Sequence, residues 1–288
     1  MSEEIPHILA KAIEHDRSGN LEQALEVYDQ AILDGISDVL IFSNRGLVLE
    51  RLQQWEEAFH SFSKAAALNS NYRDHFRAGN MLLVLKRYDE AISAFNSSLE
   101  CRDDDPECWV NQGIAHFNLK QFTEAGDRFQ KALSLDPEFS PALRSLAILH
   151  STQGDETKAA DYYGKAARAQ PVRASAWFEF ACSLYKTLPE DKTEFEPNGP
   201  EGKTIQVLDR VIELQPNTQG AWGRKVGVLF RLTDAALAAD RNASANNSDA
   251  PALFPMLHGE LLSTLSEACH RFPDDKWFAD RSKEAAAL

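Results

Sequence analysis

Cys101 and Cys108 are the first residues that invite a chemical reading, because thiolates hold zinc. Six residues separate them, which matches no zinc-knuckle spacing, and no His-x-x-x-His pair follows. Cys269 and His270 have the types of a nucleophile and its base, but neighbours on a helix point about 100° apart and such a couple needs contact. His116 and His150 lie 34 residues apart with no third ligand beside them, so they read as hydrogen-bonding residues between helices. Asp103, Asp104 and Asp105 precede Pro106, a pattern suited to a helix start, where carboxylates meet the positive end of the dipole. The chain contains no G-x-G-x-x-G, no G-x-x-x-x-G-K-[ST] and no G-x-S-x-G. The expectation is therefore no catalytic residues, no metal and no cofactor, and a protein that is not an enzyme. An associated activity would belong to a different chain.

Composition narrows the partners. The 288 residues are 43% apolar, enough to fold, and carry a formal net charge of −14. That charge repels phosphate backbones and anionic lipid surfaces, which argues against nucleic-acid binding and membrane docking. No run approaches the length of a membrane span, so no membrane insertion is expected. The start, Met-Ser-Glu-Glu-Ile-Pro-His, lacks the basic and apolar regions of a secretory signal. Four scattered cysteines fit free thiols in a reducing compartment, and the expected location is cytoplasmic.

The elements that must position any site come from self-similarity. Ala24, Ala58, Ala91, Ala125 and Ala159 recur at intervals of 34, 33, 34 and 34. Four residues after each stands an aromatic: Tyr28, Phe62, Phe95, Phe129 and Tyr163. Three further on stands a small residue: Ala31, Ala65, Ser98, Ala132 and Ala166. Upstream, Gly46, Gly79 and Gly113 share a column with Ala12 and Ala147. A small residue there lets two helices approach. The aromatic fills the space between hairpins, and Pro137, Pro171, Pro216 and Pro273 end successive units.

The copy from Pro106 to Phe139 is the clearest: Trp109-x-x-Gln112-Gly113-x-x-His116, then Ala125-x-x-x-Phe129, then Ala132 and Pro137. It resembles the tetratricopeptide repeat, with Gln112 and His116 departing from the family's Leu and Tyr. The resemblance implies an all-α fold, a right-handed superhelical solenoid of stacked antiparallel helix hairpins. About seven repeats are expected within a single domain over 1–288. They fall at about 5–38, 39–71, 72–105, 106–139, 140–173, 174–218 and 219–275, with a capping helix at 276–288. The last two copies open with Trp177 and Trp222 and are degenerate, with loop insertions expected around 188–203 and 239–252.

The resemblance also implies that the first helix of each hairpin lines a concave channel. Helical periodicity then selects Arg73, Phe76, Asn80 and Leu83, and Glu107, Val110, Ile114, Phe117 and Asn118 in the next copy. Arg144, Ile148, Ser151 and Thr152 follow, then Phe178, Cys182, Tyr185 and Lys186. This lining is more apolar than a solvated face, which points to a groove for a helix or extended peptide, with Asn80 and Asn118 bonding its backbone. The alternative is that the same residues pack on the next hairpin. Some family members clamp a chaperone's C-terminal carboxylate. Asn44, Arg73 and Arg77 match part of that set, while Leu9 and Ile13 stand where Lys and Asn are needed. The expected function is a non-catalytic scaffold or adaptor for a protein or peptide partner. The alternatives are a dedicated assembly or secretion chaperone and a co-chaperone with a partial carboxylate clamp. The end faces of a solenoid offer a route to self-association.

Overall fold

Each of the first five hairpin turns passes through one left-handed residue. Gly19, Gln53, Lys86, Lys120 and Gly154 have φ of 80°, 59°, 60°, 62° and 82°, and they recur at the repeat interval. Each sits in a short turn joining one helix to the next, and that backbone closes the turn tightly enough to bring the two helices side by side.

The computed structural model describes residues 4–188, 199–245 and 253–288. Fifteen helices and no strand occur among the described residues. They are α1 (Glu4–Arg17), α2 (Leu21–Leu33), α3 (Val39–Arg51), α4 (Trp55–Asn69) and α5 (Tyr72–Val84). Then follow α6 (Tyr88–Cys101), α7 (Pro106–Asn118), α8 (Phe122–Leu135), α9 (Ser140–Thr152) and α10 (Glu156–Ala169). The chain ends with α11 (Ala174–Thr187), α12 (Pro200–Leu214), α13 (Gln219–Ala245), α14 (Leu253–Arg271) and α15 (Lys276–Ala285). They gather into two compact units, Met1–Ser145 and Leu146–Leu288.

In the first unit the repeat columns explain the packing. A Cβ added at Gly46, Gly79 or Gly113 would lie 2.6, 2.5 and 2.5 Å from the ring of Phe62, Phe95 and Phe129. Each ring therefore occupies the space that a first-helix side chain would need. Those three rings and Tyr28 are fully buried. Where the column holds Ala12 the aromatic is Tyr28, whose hydroxyl burial and the nearby Asp16 push up to about 12. Helix starts use side-chain caps: Asp38 on the Leu40 amide, Asn71 on Arg73 and Asp105 on Glu107, with Pro106 at the first helical position.

The second unit keeps the same grammar through its degenerate copies. Trp177 and Trp222 donate their indole N–H to the carbonyls of Pro171 and Pro216, at 3.0 and 2.8 Å. Trp109 of the first unit does the same to Asp103. A core of Trp222, Val226, Leu229, Leu257, Leu261, Leu265 and Phe278 ties α13, α14 and α15 together.

The expected insertions are shorter than the sequence suggests. The segment from Pro200 to Lys203 is the first turn of α12, because a proline suits that position. Helix α13 runs to Ala245, beyond the expected loop start at 239, carried by an alanine-rich stretch of high helix propensity. The rest of both insertions, 189–198 and 246–252, lies outside the described residues.

Candidate functional site

In the first unit, polar side chains link successive first helices. Ser43 of α3 donates its hydroxyl to Asp74 Oδ1 of α5 at 2.8 Å. Arg77 of α5 reaches Glu50 of α3 at 3.5 Å. Asn111 of α7 donates Nδ2 to Asn80 Oδ1 of α5 at 2.9 Å. These contacts place α3, α5 and α7 side by side and register their faces.

Asp74 is the unusual member. It is 3% exposed, and Oδ2 has no hydrogen-bond partner among the described residues. Burial pushes its carboxyl above the usual range, against the Ser43 hydrogen bond and the charges of Arg77 and His75. It sits in the first turn of α5, where a carboxylate also meets the positive end of the helix dipole. Ser43, Asp74 and Asn111 were not legible as linking residues, because their partners lie 31 residues away.

The expected lining residues divide into four groups. Arg73 and Asn118 are exposed, and Arg77, Asn80 and Ile114 half-exposed. Arg73 is held by the Tyr72 hydroxyl at 2.9 Å. The Arg77 guanidinium lies 5.6 Å over the Phe62 ring. Phe76 and Phe117 are half-buried against Phe95 and Phe122 of their own hairpins, with ring centroids 6.0 and 5.5 Å apart. Val110 is a correction. At 3% exposed it belongs to the packing, because its branched side chain falls on the inner edge of α7. Asn118 donates to the Ile114 carbonyl of its own helix at 2.8 Å, and Asn80 already accepts from Asn111. Each still has amide groups left to offer. Arg144 is exposed on α9.

In the second unit Ile148 is 39% exposed. Lys186 bridges Ser151 and Glu156 at 3.3 and 3.1 Å. Phe178 lies beneath Arg224 at 5.1 Å and within 3.0 Å of where a Gly220 Cβ would sit. The Tyr185 hydroxyl is 3.4 Å from the corresponding point on Gly227. Both rings therefore pack along a glycine-bearing stripe of α13. For these two residues the alternative of packing on the next hairpin describes the geometry.

The candidate chemistry residues have other partners. His116 Nδ1 lies 2.6 Å from Gln121 Oε1, and His150 stacks on Tyr162 at 5.4 Å. Burial drives the Cys108 thiol up to about 12, and Cys182 is raised for the same reason. No group of three His, Cys, Asp or Glu that could hold a metal occurs among the described residues. No described helix is long and apolar enough to cross a membrane.

Two models of the tetratricopeptide repeat match the chain, one at residues 9–73 and 44–106 and the other at 106–139. The tetratricopeptide repeat-containing protein trd-1 of Caenorhabditis elegans is 26% identical over 162 residues, which cover 56% of this chain and 19% of that protein. The BBSome complex member BBS4 of Bos taurus is 23% identical over 167 residues, covering 58% of this chain and 32% of its own. The chain thus spans between a fifth and a third of these relatives. The solved C-terminal part of a TPR repeat-containing protein from Cytophaga hutchinsonii superposes with a TM-score of 0.68 at 13% identity, over 95% of this chain and 98% of that one. At that identity the likeness shows the fold alone.

Proposed function

The chain belongs to the tetratricopeptide repeat family through residues 9–139, and on that premise we propose that its first unit binds a partner protein along the α3–α5–α7 face without catalysing a reaction. The supporting observation is the registered row of first helices. The bonds Ser43–Asp74, Glu50–Arg77 and Asn80–Asn111 link its helices, which carry the exposed Arg73 and Asn118 and the half-exposed Ile114. One exposed cation, Arg73, with an aliphatic side chain and primary amides suits an extended or helical segment with acidic and apolar residues. The relative from Bos taurus is named as a member of a complex, which accords with a scaffold or adaptor.

A full carboxylate clamp is disfavoured on this face. Arg77 is engaged by Glu50 and by the Phe62 ring, and Leu9 and Ile13 supply no polar group. The test is site-specific photo-cross-linking. Benzoylphenylalanine at position 114 should capture a protein, while the same residue at position 124, exposed on α8, should not. Equal capture at both positions, or none at 114, would remove the proposal.

A further inference from the structure

Helix α11 carries two stripes two residues out of step. Phe178, Cys182 and Tyr185 form one. Phe180, Leu184 and Thr187 form the other, turned about 200° away. The Phe178 stripe packs on α13. The Phe180 stripe faces a cavity of about 250 Å3 bounded by α10, by α11 and by Lys203 at the start of α12.

The cavity has an apolar floor of Phe180, Leu184 and Ala160, all buried. Its rim is cationic. A Cβ on Gly164 would lie 3.0 Å from the Phe180 ring and 3.4 Å from Arg168 Nη1, so the ring edge and the guanidinium border the same gap. Lys203 Nζ stands 5.8 Å from the centre of that ring. The one acid in the lining, Asp161, is paired with Lys165 at 2.7 Å. Among the described residues, neither Arg168 nor Lys203 has an ion-pair partner. On a chain of formal charge −14 this is a local reversal of sign.

We infer that this cavity is a second docking site, which takes an aliphatic side chain of an acidic peptide. The peptide's neighbouring carboxylate lies between Arg168 and Lys203. Size favours a peptide anchor, because about 250 Å3 is below the range of cofactor pockets and fits one or two side chains. Charge favours a carboxylate, which Arg168 can grip through two N–H groups while Lys203 supplies a point charge. The ordering cost is small, since the floor is already packed. None of these residues belongs to the α3–α5–α7 face, so the inference does not depend on that one.

The experiment is a selection of random heptapeptides displayed on phage against the full chain. It is followed by calorimetry of the leading peptide. Enriched sequences should place Asp or Glu beside Leu, Ile or Val. Binding should weaken at least about tenfold in an Arg168→Glu, Lys203→Glu variant with unchanged helicity, and should survive Ile114→Asp. Both charge-reversed residues are exposed, so folding should be retained. No enrichment, enrichment without acids, or equal binding to the charge-reversed variant overturns the inference. A dimer in sedimentation velocity that the same variant dissolves would place a second copy in the cavity, and overturn it as well.

Discussion

Asn80 Oδ1 accepts a 2.9 Å hydrogen bond from Asn111 Nδ2, one first helix further along the chain. The bond links α5 to α7 through a part-buried polar contact. It leaves the Asn80 amide NH2 and the Asn111 oxygen for other groups. Replacing Asn111 by Ala should cost about 0.5–1.5 kcal/mol, because the Asn80 oxygen loses its donor while half-buried. Urea denaturation measures it, and a change below about 0.3 kcal/mol would show the bond to be incidental.

Asp74 gives a pH dependence of known sign. Burial raises its carboxyl in the folded chain above the unfolded value, so the native state holds the proton more tightly. Stability then falls as pH rises from the ordinary carboxylate range through the raised folded value. Asp74→Asn removes the ionisation while leaving an oxygen for Ser43 to bond. The variant should melt higher than the parent at pH 7, with the gap narrowing toward pH 4. A gap that is constant with pH would contradict the assignment.

Gly79 has no room for a branched side chain, since a Cβ there would sit 2.5 Å from the Phe95 ring. Gly79→Val should destabilise the chain by about 1–3 kcal/mol despite the gain from removing a helical glycine. A neutral result in urea titration would mean that the ring can move aside.

The left-handed turn residues run the opposite way. Lys120 has φ of 62° in the position that Gly19 and Gly154 fill in their own repeats. Lys120→Gly should stabilise by up to about 1 kcal/mol, because glycine adopts this backbone without steric cost. A loss of stability would show that the lysine side chain contributes more than its backbone strain costs.

Two cysteines should separate by reactivity. Cys101 is exposed, while Cys108 is buried with its thiol pushed up to about 12. Iodoacetamide at pH 8 should label Cys101 in the native chain and Cys108 only after unfolding, as peptide mass spectrometry can follow. Comparable native rates would contradict the burial of Cys108.

The repeat columns were legible because each is a local packing rule. The column of Gly79 and the column of Phe95 state that a small residue of one helix meets an aromatic of the next, and the structure realises it. The turn column at Gln53, Lys86 and Lys120 was not legible, since two lysines and a glutamine carry no signal for positive φ. The lining was harder. Periodicity assigns a face but not a depth, so Val110 fell into the core. Phe178 and Tyr185 met α13, whose glycines at 220 and 227 look unremarkable in the sequence. Asp74 was hidden for a related reason, because its burial depends on Ser43 31 residues earlier.

The central claim is that a partner protein binds the α3–α5–α7 face. The most direct measurement is quantitative affinity capture from the source lysate with the parent chain and an Arg73→Glu, Ile114→Asp variant of unchanged helicity. The Arg168→Glu, Lys203→Glu variant serves as a control. The account predicts a protein captured by the parent and the control and depleted at least about tenfold by the face variant. Equal capture by the face variant would contradict it.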